Sequence, residues 1–210
     1  MAEVKHRSRL YFQFPVQPSA KLEAQLAQAM GSSDAACVLL CGDGRATDED
    51  YASRLIDIVQ SHGLACLVEN DIALAERLGA DGVHLGADTD IYRSARKRLG
   101  DSANIGVNCG LSRHDAMALA ELGADYVAFD ASAGAGIDHV NQYAELVAWW
   151  AEIFVVPCVA WNVDRAREAG QLAALRADFI APSPGIWRED NPQQLIAEID
   201  SAVRQARRAA

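Results

Sequence analysis

Eight short apolar segments alternate with longer helical patterns along the whole chain, and this alternation restricts the fold more than any other feature. Strands separated by helices pair in parallel through right-handed crossovers. Eight strands that are apolar almost throughout favour a closed α/β barrel, the (β/α)8 or TIM barrel, over an open sheet. The strand segments are LYFQF from Leu10, ACVLLCG from Ala36, LACLVE from Leu64, GVHLG from Gly82, NIGVNC from Asn104, YVAFD from Tyr126, FVVPCVAW from Phe154 and FIAPSPGIW from Phe179.

Length, composition and charge agree with one such barrel and narrow its partners. The chain has 210 residues, of which 50% are hydrophobic, so residues 1–210 are expected to form a single domain. A formal net charge of −10 disfavours nucleic acid and anionic membranes as partners and leaves a small-molecule ligand. Because no long apolar run and no signal-peptide core is present, we expect a cytoplasmic protein. The oligomeric state stays open.

A four-residue motif that joins a helix to the next strand occurs three times, and this recurrence indicates a structural and not a catalytic role. Leu-Gly-Ala-Asp precedes two of the strands, at residues 78–81 and 122–125, and Leu-Arg-Ala-Asp at 175–178 precedes a third. Glycine suits a helix end that needs a positive φ, and the aspartate would begin the next strand at the stability face of the barrel. Helix starts are predicted from capping patterns, at Thr47 with Asp50 and at Ser112 with Asp115.

The polar residues at the carboxyl ends of the strands form a predominantly acidic set. In a (β/α)8 barrel this end carries the functional site. Carboxylates gathered at one opening repel one another unless a hard cation such as Mg²⁺ or a cationic ligand lies among them. Asn70-Asp71 with Asp88 or Asp90 is the natural pair for Mg²⁺. The full set is Gln13, Asp43, Arg45, Glu69, Asn70, Asp71, His84, Asp88, Asp90, Asn108, Asp130, Asn162 and Ser183.

Structural explanations compete with these roles. Asp71, Asp88 and Asp90 each stand at the start of a helical pattern, where an acid caps the helix and favours its dipole. His84 alternates with apolar neighbours and is equally consistent with a structural histidine. Trp161 and Trp187 fall near the ends of the last two strand segments, where they would line a pocket or plug the barrel. Spacings typical of zinc sites, nucleophile elbows and phosphate loops are missing.

Two long segments resemble the thiamine phosphate synthase and TenI superfamily. LACLVENDIALAERLGADGVHLGADTD is similar to the family's LLVNDRVDLALALGADGVHLGQED, and NIGVNCGLSRHDAMALAELGADYVAFD to its IGVSTHTLEEALEAEALGADYIGVG. The resemblance extends over residues 9–187. It implies a (β/α)8 barrel and a transferase that joins a pyrimidine pyrophosphate to a thiazole phosphate with the help of Mg²⁺.

The resemblance carries some site residues over and loses others. Asn70 and Asp71 match the family's Asn-Asp, whose aspartate is a Mg²⁺ ligand, whereas Thr89 stands at the second metal position with Asp88 and Asp90 on either side. The family's two cations after strand two are gone, and Arg45 is the candidate replacement. The lysine of the loop after strand six is absent from ASAGAGID, Asn162-Val163 replaces a Gly-Gly, and Asn108 stands where serine is usual.

The sequence therefore supports two hypotheses. In the first, the chain is a thiamine phosphate synthase-like transferase, a divergent member whose ordinary activity is expected to be weak or absent because the losses fall on the ligand face. In the second, it is a non-catalytic or repurposed barrel that binds a thiamine-related or other small molecule. The residues expected at the site are Asn70, Asp71 and Asn108 for catalysis; Arg45, His84, Asn162, Ser183 and Trp161 for the substrate; and Asp71 with Asp88 or Asp90 for Mg²⁺.

Overall fold

The predicted closed barrel is confirmed. The computed structural model describes residues 7–42, 48–130 and 137–209, without the side chains of 137–142 and 207–209. Each strand pairs in parallel with its neighbour in the sequence, and β1 also pairs with β8, which closes the sheet. The strands are β1 Arg9–Pro15, β2 Ala35–Cys41, β3 Ala65–Glu69, β4 Gly82–Gly86, β5 Asn104–Asn108, β6 Tyr126–Asp130, β7 Cys158–Trp161 and β8 Phe179–Ala181.

A helix follows every strand, and side-chain caps fix where several of them begin. Ser112 accepts the backbone N–H of Asp115 at 3.2 Å, as predicted. Asp48 caps the second helix by accepting from Tyr51 N, one residue later than the predicted Thr47, which lies outside the described residues. The helices are α1 Ala20–Ser32, α2 Glu49–Ser61, α3 Ile72–Leu78, α4 Thr89–Leu99, α5 Arg113–Glu121, α6 Ile137–Ile153, α7 Ala166–Ala174 and α8 Pro192–Ala209. Within the described ranges no helix is both long and apolar enough to cross a bilayer.

The last two strands are shorter than their apolar segments because proline interrupts both. Pro157 immediately precedes β7 and Pro182 immediately follows β8, and proline has no N–H to donate to a neighbouring strand. After β8 the chain forms a 3-10 helix at Pro184–Arg188 instead of continuing the strand. This early end decides on which side of the barrel wall the following residues lie.

The alternation along each strand divides the buried side chains into two layers. On β1, Phe12 and Phe14 belong to the large core between the barrel and its helices, whereas Tyr11 belongs to the smaller cluster inside the barrel. That inner cluster also contains Tyr126 and Trp161. The barrel interior is thus a packed core that places aromatic rings beneath the mouth.

The repeated joint is structural, as its recurrence predicts. In all three copies the aspartate accepts a backbone N–H from the start of a neighbouring strand: Asp81 from Cys66, Asp125 from Ile105 and Asp178 from Cys158, at 2.7–2.8 Å. The residue two before each aspartate is left-handed, with φ of 69° at Gly79, 96° at Gly123 and 70° at Arg176. These bonds staple adjacent strands at the amino-terminal end of the barrel, opposite the mouth.

Candidate active site at the barrel mouth

Asn70 holds the ends of two neighbouring strands together. It is the residue after β3 and has a left-handed backbone, with φ of 53°. Its backbone N–H donates to the carbonyl of His84 at 2.9 Å, and its Oδ1 accepts the N–H of Gly86 at 3.2 Å. The β3–α3 and β4–α4 loops, which carry the acids predicted to bind a metal, are therefore tied to each other.

Those acids sit at the starts of α3 and α4. Asp71 is the N-cap of α3 and accepts Leu74 N on Oδ1 at 2.8 Å. Asp88 is the N-cap of α4 and accepts two backbone N–H groups on Oδ1, at 2.8 and 2.9 Å. Asp90 lies in the first turn and pairs with Arg93 at 3.0 Å. Capping is thus a role that Asp71 and Asp88 do fulfil.

The same geometry leaves donor atoms for a cation. Asp71 and Asp88 are exposed, and no hydrogen bond to either Oδ2 atom is made by the part of the chain that the structure describes. No cluster of three or more His, Cys, Asp or Glu side chains suited to a metal occurs among the described residues. Mg²⁺ commonly takes only one or two carboxylates and completes its shell with water and substrate phosphate. The donor set fits that kind of site.

Amide side chains line the other side of the mouth. Asn162, after β7, has a φ of 58° and donates from Nδ2 to the Asp130 carboxylate at 3.2–3.3 Å. Gln13 Nε2 donates to Asn162 Oδ1 at 3.2 Å and to the Pro182 carbonyl at 3.0 Å. Asn108 Oδ1 accepts the N–H of Gly110 at 3.0 Å. A fixed row of amide and carboxylate groups therefore extends across the ends of β1, β7 and β6.

The mouth is poor in cations. Between the described strand ends and the helices that follow them, the basic residues are Arg165 and Arg188, both exposed. Glu69 at the end of β3 is half-buried, and this burial raises the pKa of its carboxyl. Such a surface attracts cations and disfavours bare phosphate.

Ser183 follows β8, where its backbone N–H donates to Asp164 Oδ1 at 2.8 Å. It stands directly before the 3-10 helix, and its half-buried side chain makes no capping hydrogen bond there. Three sequence predictions fall on residues 43–47 and 131–136, which lie outside the described residues. They are Arg45 as a substrate ligand, Asp43 as a mouth acid and the ASAGAG loop.

Beneath these polar groups, His84 is enclosed by aromatic rings. The Trp161 indole stacks on it with ring centroids 4.4 Å apart and planes inclined by 10°. Its Nδ1 forms a hydrogen bond with the Tyr126 hydroxyl at 2.9 Å, and that hydroxyl forms another with Tyr11 at 2.8 Å. The Tyr126 ring lies across Gly106, where an added Cβ would come within 1.8 Å of the ring. Only glycine at position 106 admits this arrangement.

The enclosure removes charge from the network. Burial lowers the pKa of His84 to about 3, so the imidazole is neutral near pH 7. Burial also holds the pKa of both Tyr11 and Tyr126 well above the ordinary value, so neither hydroxyl ionises. His84 Nε2 is buried and has no hydrogen-bond partner among the described residues. Such an orphaned polar atom is uncommon in a native interior and points to a ligand or a water molecule.

The two tryptophans near the strand ends have different places. Trp161 is inside the barrel, as a residue that lines or plugs the mouth would be. Trp187 is not at the mouth: it packs against Phe12 and Phe14 on the outer side of the wall and donates its indole N–H to the Gln13 carbonyl at 2.7 Å. The strand ends at Ala181, so the alternation that would have placed Trp187 inside no longer applies.

Sequence reasoning missed the two tyrosines of the inner network. Tyr11 and Tyr126 stand near the starts of β1 and β6, away from the carboxyl ends where site residues were sought. One signal was present in the sequence. Gly106 occupies the middle of the apolar strand NIGVN, and glycine inside a strand marks a close approach by another group.

Comparison with known sequences identifies the family of this chain. The family model described as thiamine monophosphate synthase (TMP-TENI) matches residues 16–186. The thiamine-phosphate synthase of Erythrobacter litoralis is 36% identical over 198 residues, which cover 90% of this chain and 93% of that protein. The thiamine-phosphate synthase of Rhodospirillum centenum is also 36% identical, over 85% of this chain and 89% of its own length.

A solved structure of similar shape supports the fold. The thiamine phosphate pyrophosphorylase from Pyrococcus furiosus superposes with a TM-score of 0.75 over 97% of this chain and 99% of that one. Its sequence is only 16% identical, so this likeness concerns the barrel and not the chemistry at its mouth.

Proposed function

The chain belongs to the thiamine monophosphate synthase family, and from that membership we propose that it is a thiamine phosphate synthase-like transferase. Its reaction would join a pyrimidine pyrophosphate to a thiazole phosphate, with loss of pyrophosphate, at the carboxyl end of the barrel. The observation that carries this proposal is the 36% identity to the Erythrobacter litoralis thiamine-phosphate synthase over nearly the full length of both chains.

Asp71 and Asp88 are the residues that would hold Mg²⁺. Both carboxylates are exposed, each commits Oδ1 to a helix cap, and the Asn70 side chain ties the two loops together. Asp90 is the less suitable partner because it is already paired with Arg93. When bound, the ion would supply positive charge to the pyrophosphate, and the described part of the mouth has little positive charge of its own.

The remaining side chains would bind and orient the two rings. Asn108 commits only its Oδ1 to the backbone of Gly110, and within the described chain its Nδ2 hydrogens are not engaged. Asn162 and Gln13 hold each other at the opposite side of the mouth. Fixed amides of this kind orient neutral and cationic heterocycles, and orientation would be a main task of the protein side chains once Mg²⁺ assists the departure of pyrophosphate.

Turnover should nevertheless be slow. The Glu69 and Asp130 carboxylates at the mouth would repel the phosphates of both substrates, and the basic residues of the described loops are exposed and few. Each missing charge-assisted contact to phosphate forfeits roughly 1.5–3 kcal/mol of binding. We therefore propose that the chain catalyses the synthase reaction with low efficiency.

Isothermal titration with Mg²⁺ and thiamine phosphate, together and separately, tests the proposal alongside a turnover assay. Asp71→Asn keeps an oxygen for the α3 cap but loses the charge, so it should abolish Mg²⁺-dependent binding without unfolding the helix. Asp88→Asn and Asp90→Asn, compared with each other, identify the second ligand. Asp101→Asn, at an exposed turn after α4, is the control. Turnover without added Mg²⁺, or unchanged in Asp71→Asn, would refute this mechanism.

The acidic mouth favours one second candidate, a barrel that binds an unphosphorylated, cationic thiamine-related molecule without converting it. The carboxylates of Glu69 and Asp130 and the amide row are suited to a positively charged ring. In the same titration this candidate requires thiamine to bind without Mg²⁺ and more tightly than thiamine phosphate. Binding of the phosphorylated ligand alone would exclude it.

A further inference from the structure

The hydroxyls of Tyr11 and Tyr126 form a short hydrogen-bonded chain that ends on His84. The two tyrosine oxygens are 2.8 Å apart, and the Tyr126 oxygen is 2.9 Å from His84 Nδ1. All three residues are buried, and within the described chain the Tyr11 hydroxyl has no second hydrogen-bond partner. Burial lowers the pKa of His84 to about 3 and raises the pKa of both tyrosines. Near pH 7 each of the three groups therefore carries one hydrogen.

The direction of this chain decides which nitrogen of His84 is protonated. If Tyr11 donates to Tyr126 and Tyr126 donates to Nδ1, both hydroxyl hydrogens are bonded and the imidazole proton lies on Nε2. In the reverse direction, the Tyr11 hydrogen and the Nε2 lone pair would both be left without partners. Because unpaired buried polar groups are costly, the first direction is favoured, and His84 presents a neutral Nε2–H donor.

None of the described residues accepts a hydrogen bond from this donor. Nε2 is buried and unpartnered, and Glu69, its neighbour in register on β3, does not reach it with a hydrogen bond. Trp161 covers one face of the imidazole with planes inclined by 10°, so an acceptor must approach Nε2 in the plane of the ring, at its edge. A fixed donor without an acceptor is what a site for an acceptor-bearing ligand provides.

We propose that Tyr126, supported by Tyr11, is a positioning residue that holds His84 with its proton on Nε2, and that this N–H donates to an uncharged acceptor nitrogen in the ring of the ligand. The inference rests on the proposed function, in which the ligand rings are a pyrimidine and a thiazole. The thiazole nitrogen must keep its lone pair for the new carbon–nitrogen bond, whereas the nitrogens of the pyrimidine ring are free to accept. His84 therefore serves the pyrimidine.

The place of His84 in the barrel suits this role. It stands two residues before Gly86, the last residue of β4, and the Trp161 that stacks on it is the last residue of β7. The imidazole thus lies directly beneath the mouth. Because Nε2 is covered, ligand binding requires a small shift of the neighbouring side chains, of the kind that commonly accompanies binding.

NMR of ¹⁵N-histidine-labelled protein, titrated with 4-aminopyrimidine, tests the proposal without Mg²⁺, phosphate or turnover. In wild type at pH 7 we expect His84 Nε2 to carry the proton, Nδ1 to be unprotonated, and the Nε2–H resonance to shift as the ligand saturates. Aniline is the control ligand, because it has a similar size and the same amino group but no ring nitrogen. It should leave the Nε2–H resonance nearly unchanged.

Affinities of substituted chains separate positioning from packing. His84→Phe should weaken 4-aminopyrimidine about three- to tenfold, the effect of one neutral hydrogen bond, and leave aniline unaffected. Tyr126→Phe should weaken it at least twofold, since the imidazole is then free to change tautomer and to turn. The double variant Tyr126→Phe/His84→Phe should bind no more weakly than His84→Phe, because Tyr126 acts only through the imidazole.

Tyr143→Phe is the matched control variant. It also removes a buried hydroxyl, one that donates to the Trp161 carbonyl at 3.3 Å, and it should bind 4-aminopyrimidine as wild type does. Circular dichroism first establishes that each variant is folded. If Tyr126→Phe does not fold, Tyr11→Phe replaces it, with a smaller loss in the same direction.

A proton on Nδ1 in wild type would overturn the proposal, as would absence of 4-aminopyrimidine binding or an Nε2–H resonance that the ligand does not move. A further loss when Tyr126→Phe is added to His84→Phe would show that Tyr126 acts by packing and would overturn its positioning role. A chain that binds the pyrimidine through His84 without turnover refutes only the synthase proposal, and a chain that turns over without these signs refutes only this one.

Discussion

Replacing His84 with phenylalanine should make the folding stability of this barrel less sensitive to acid. Burial lowers the pKa of His84 to about 3, whereas the unfolded chain has the ordinary value near 6.5. Below pH 6.5 the unfolded state therefore takes up a proton that the folded state refuses, and stability falls as the pH falls. Linkage gives about 2 kcal/mol lost between pH 7 and pH 5, and roughly 4 kcal/mol over the whole interval down to pH 3.

Urea unfolding of wild type and His84→Phe at pH 7, 6 and 5 measures this difference. Loss of the hydrogen bond to Tyr126 lowers the free energy of unfolding of the variant by a similar amount at every pH. Any difference in pH dependence between the two proteins is therefore due to His84. Glu69 and Glu168, whose pKa values are raised by burial, titrate in both proteins, so their contribution cancels. His114→Gln, an exposed histidine on α5, should keep the wild-type slope. Parallel curves for wild type and His84→Phe would refute the neutral, enclosed imidazole.

Three further substitutions probe the frame through the midpoint or free energy of urea unfolding. Arg176→Gly should stabilise the chain by roughly 0.5–1 kcal/mol, because φ is 70° there, while Arg176→Ala should show no such gain. Asp125→Ala should cost about 1–3 kcal/mol by orphaning Ile105 N and breaking the 2.6 Å pair with Arg96; a loss below 0.5 kcal/mol would contradict the stapling role. Gly106→Ala should destabilise by about 3 kcal/mol or more, since its Cβ would overlap the Tyr126 ring, and an unchanged midpoint would show that the ring moves aside at no cost.

The parts of the fold that sequence predicts are those set by local chemistry. Strand alternation and helix periodicity each appear within a window of about 15 residues. The eight strands and the helix start at Ser112 can therefore be predicted without tertiary information. The joint before three of the strands is also predictable, because the same short motif recurs at three places and this recurrence indicates a structural role. The apolar segment predicts that β8 continues beyond Pro182, whereas the strand ends at Ala181, and Trp187 therefore lies outside the barrel wall.

The inner site could not be predicted because its partners are distant in sequence. His84 and Trp161 are brought together by the closure of the barrel, and the strand register decides that their rings lie at one level. Periodicity shows that each points to one face of its own strand, but it does not say which rings across the barrel reach one another. The mouth residues are predictable from sequence because the carboxyl ends of all the parallel strands lie on the same side of the barrel.

Aspartate serves both ends of this barrel, and the range of its hydrogen bonds separates frame from function. Asp81, Asp125 and Asp178 bond to strands 15–20 residues away, so their loss is felt by the whole sheet. Among the described residues, Asp71 and Asp88 accept hydrogen bonds only from helix starts two or three residues away, so these positions can change with a local cost of about 1 kcal/mol. The mouth can therefore diverge while the barrel persists. For this reason we expect the family fold to be a weak guide to turnover, and the charge at the mouth to govern which ligand the barrel accepts.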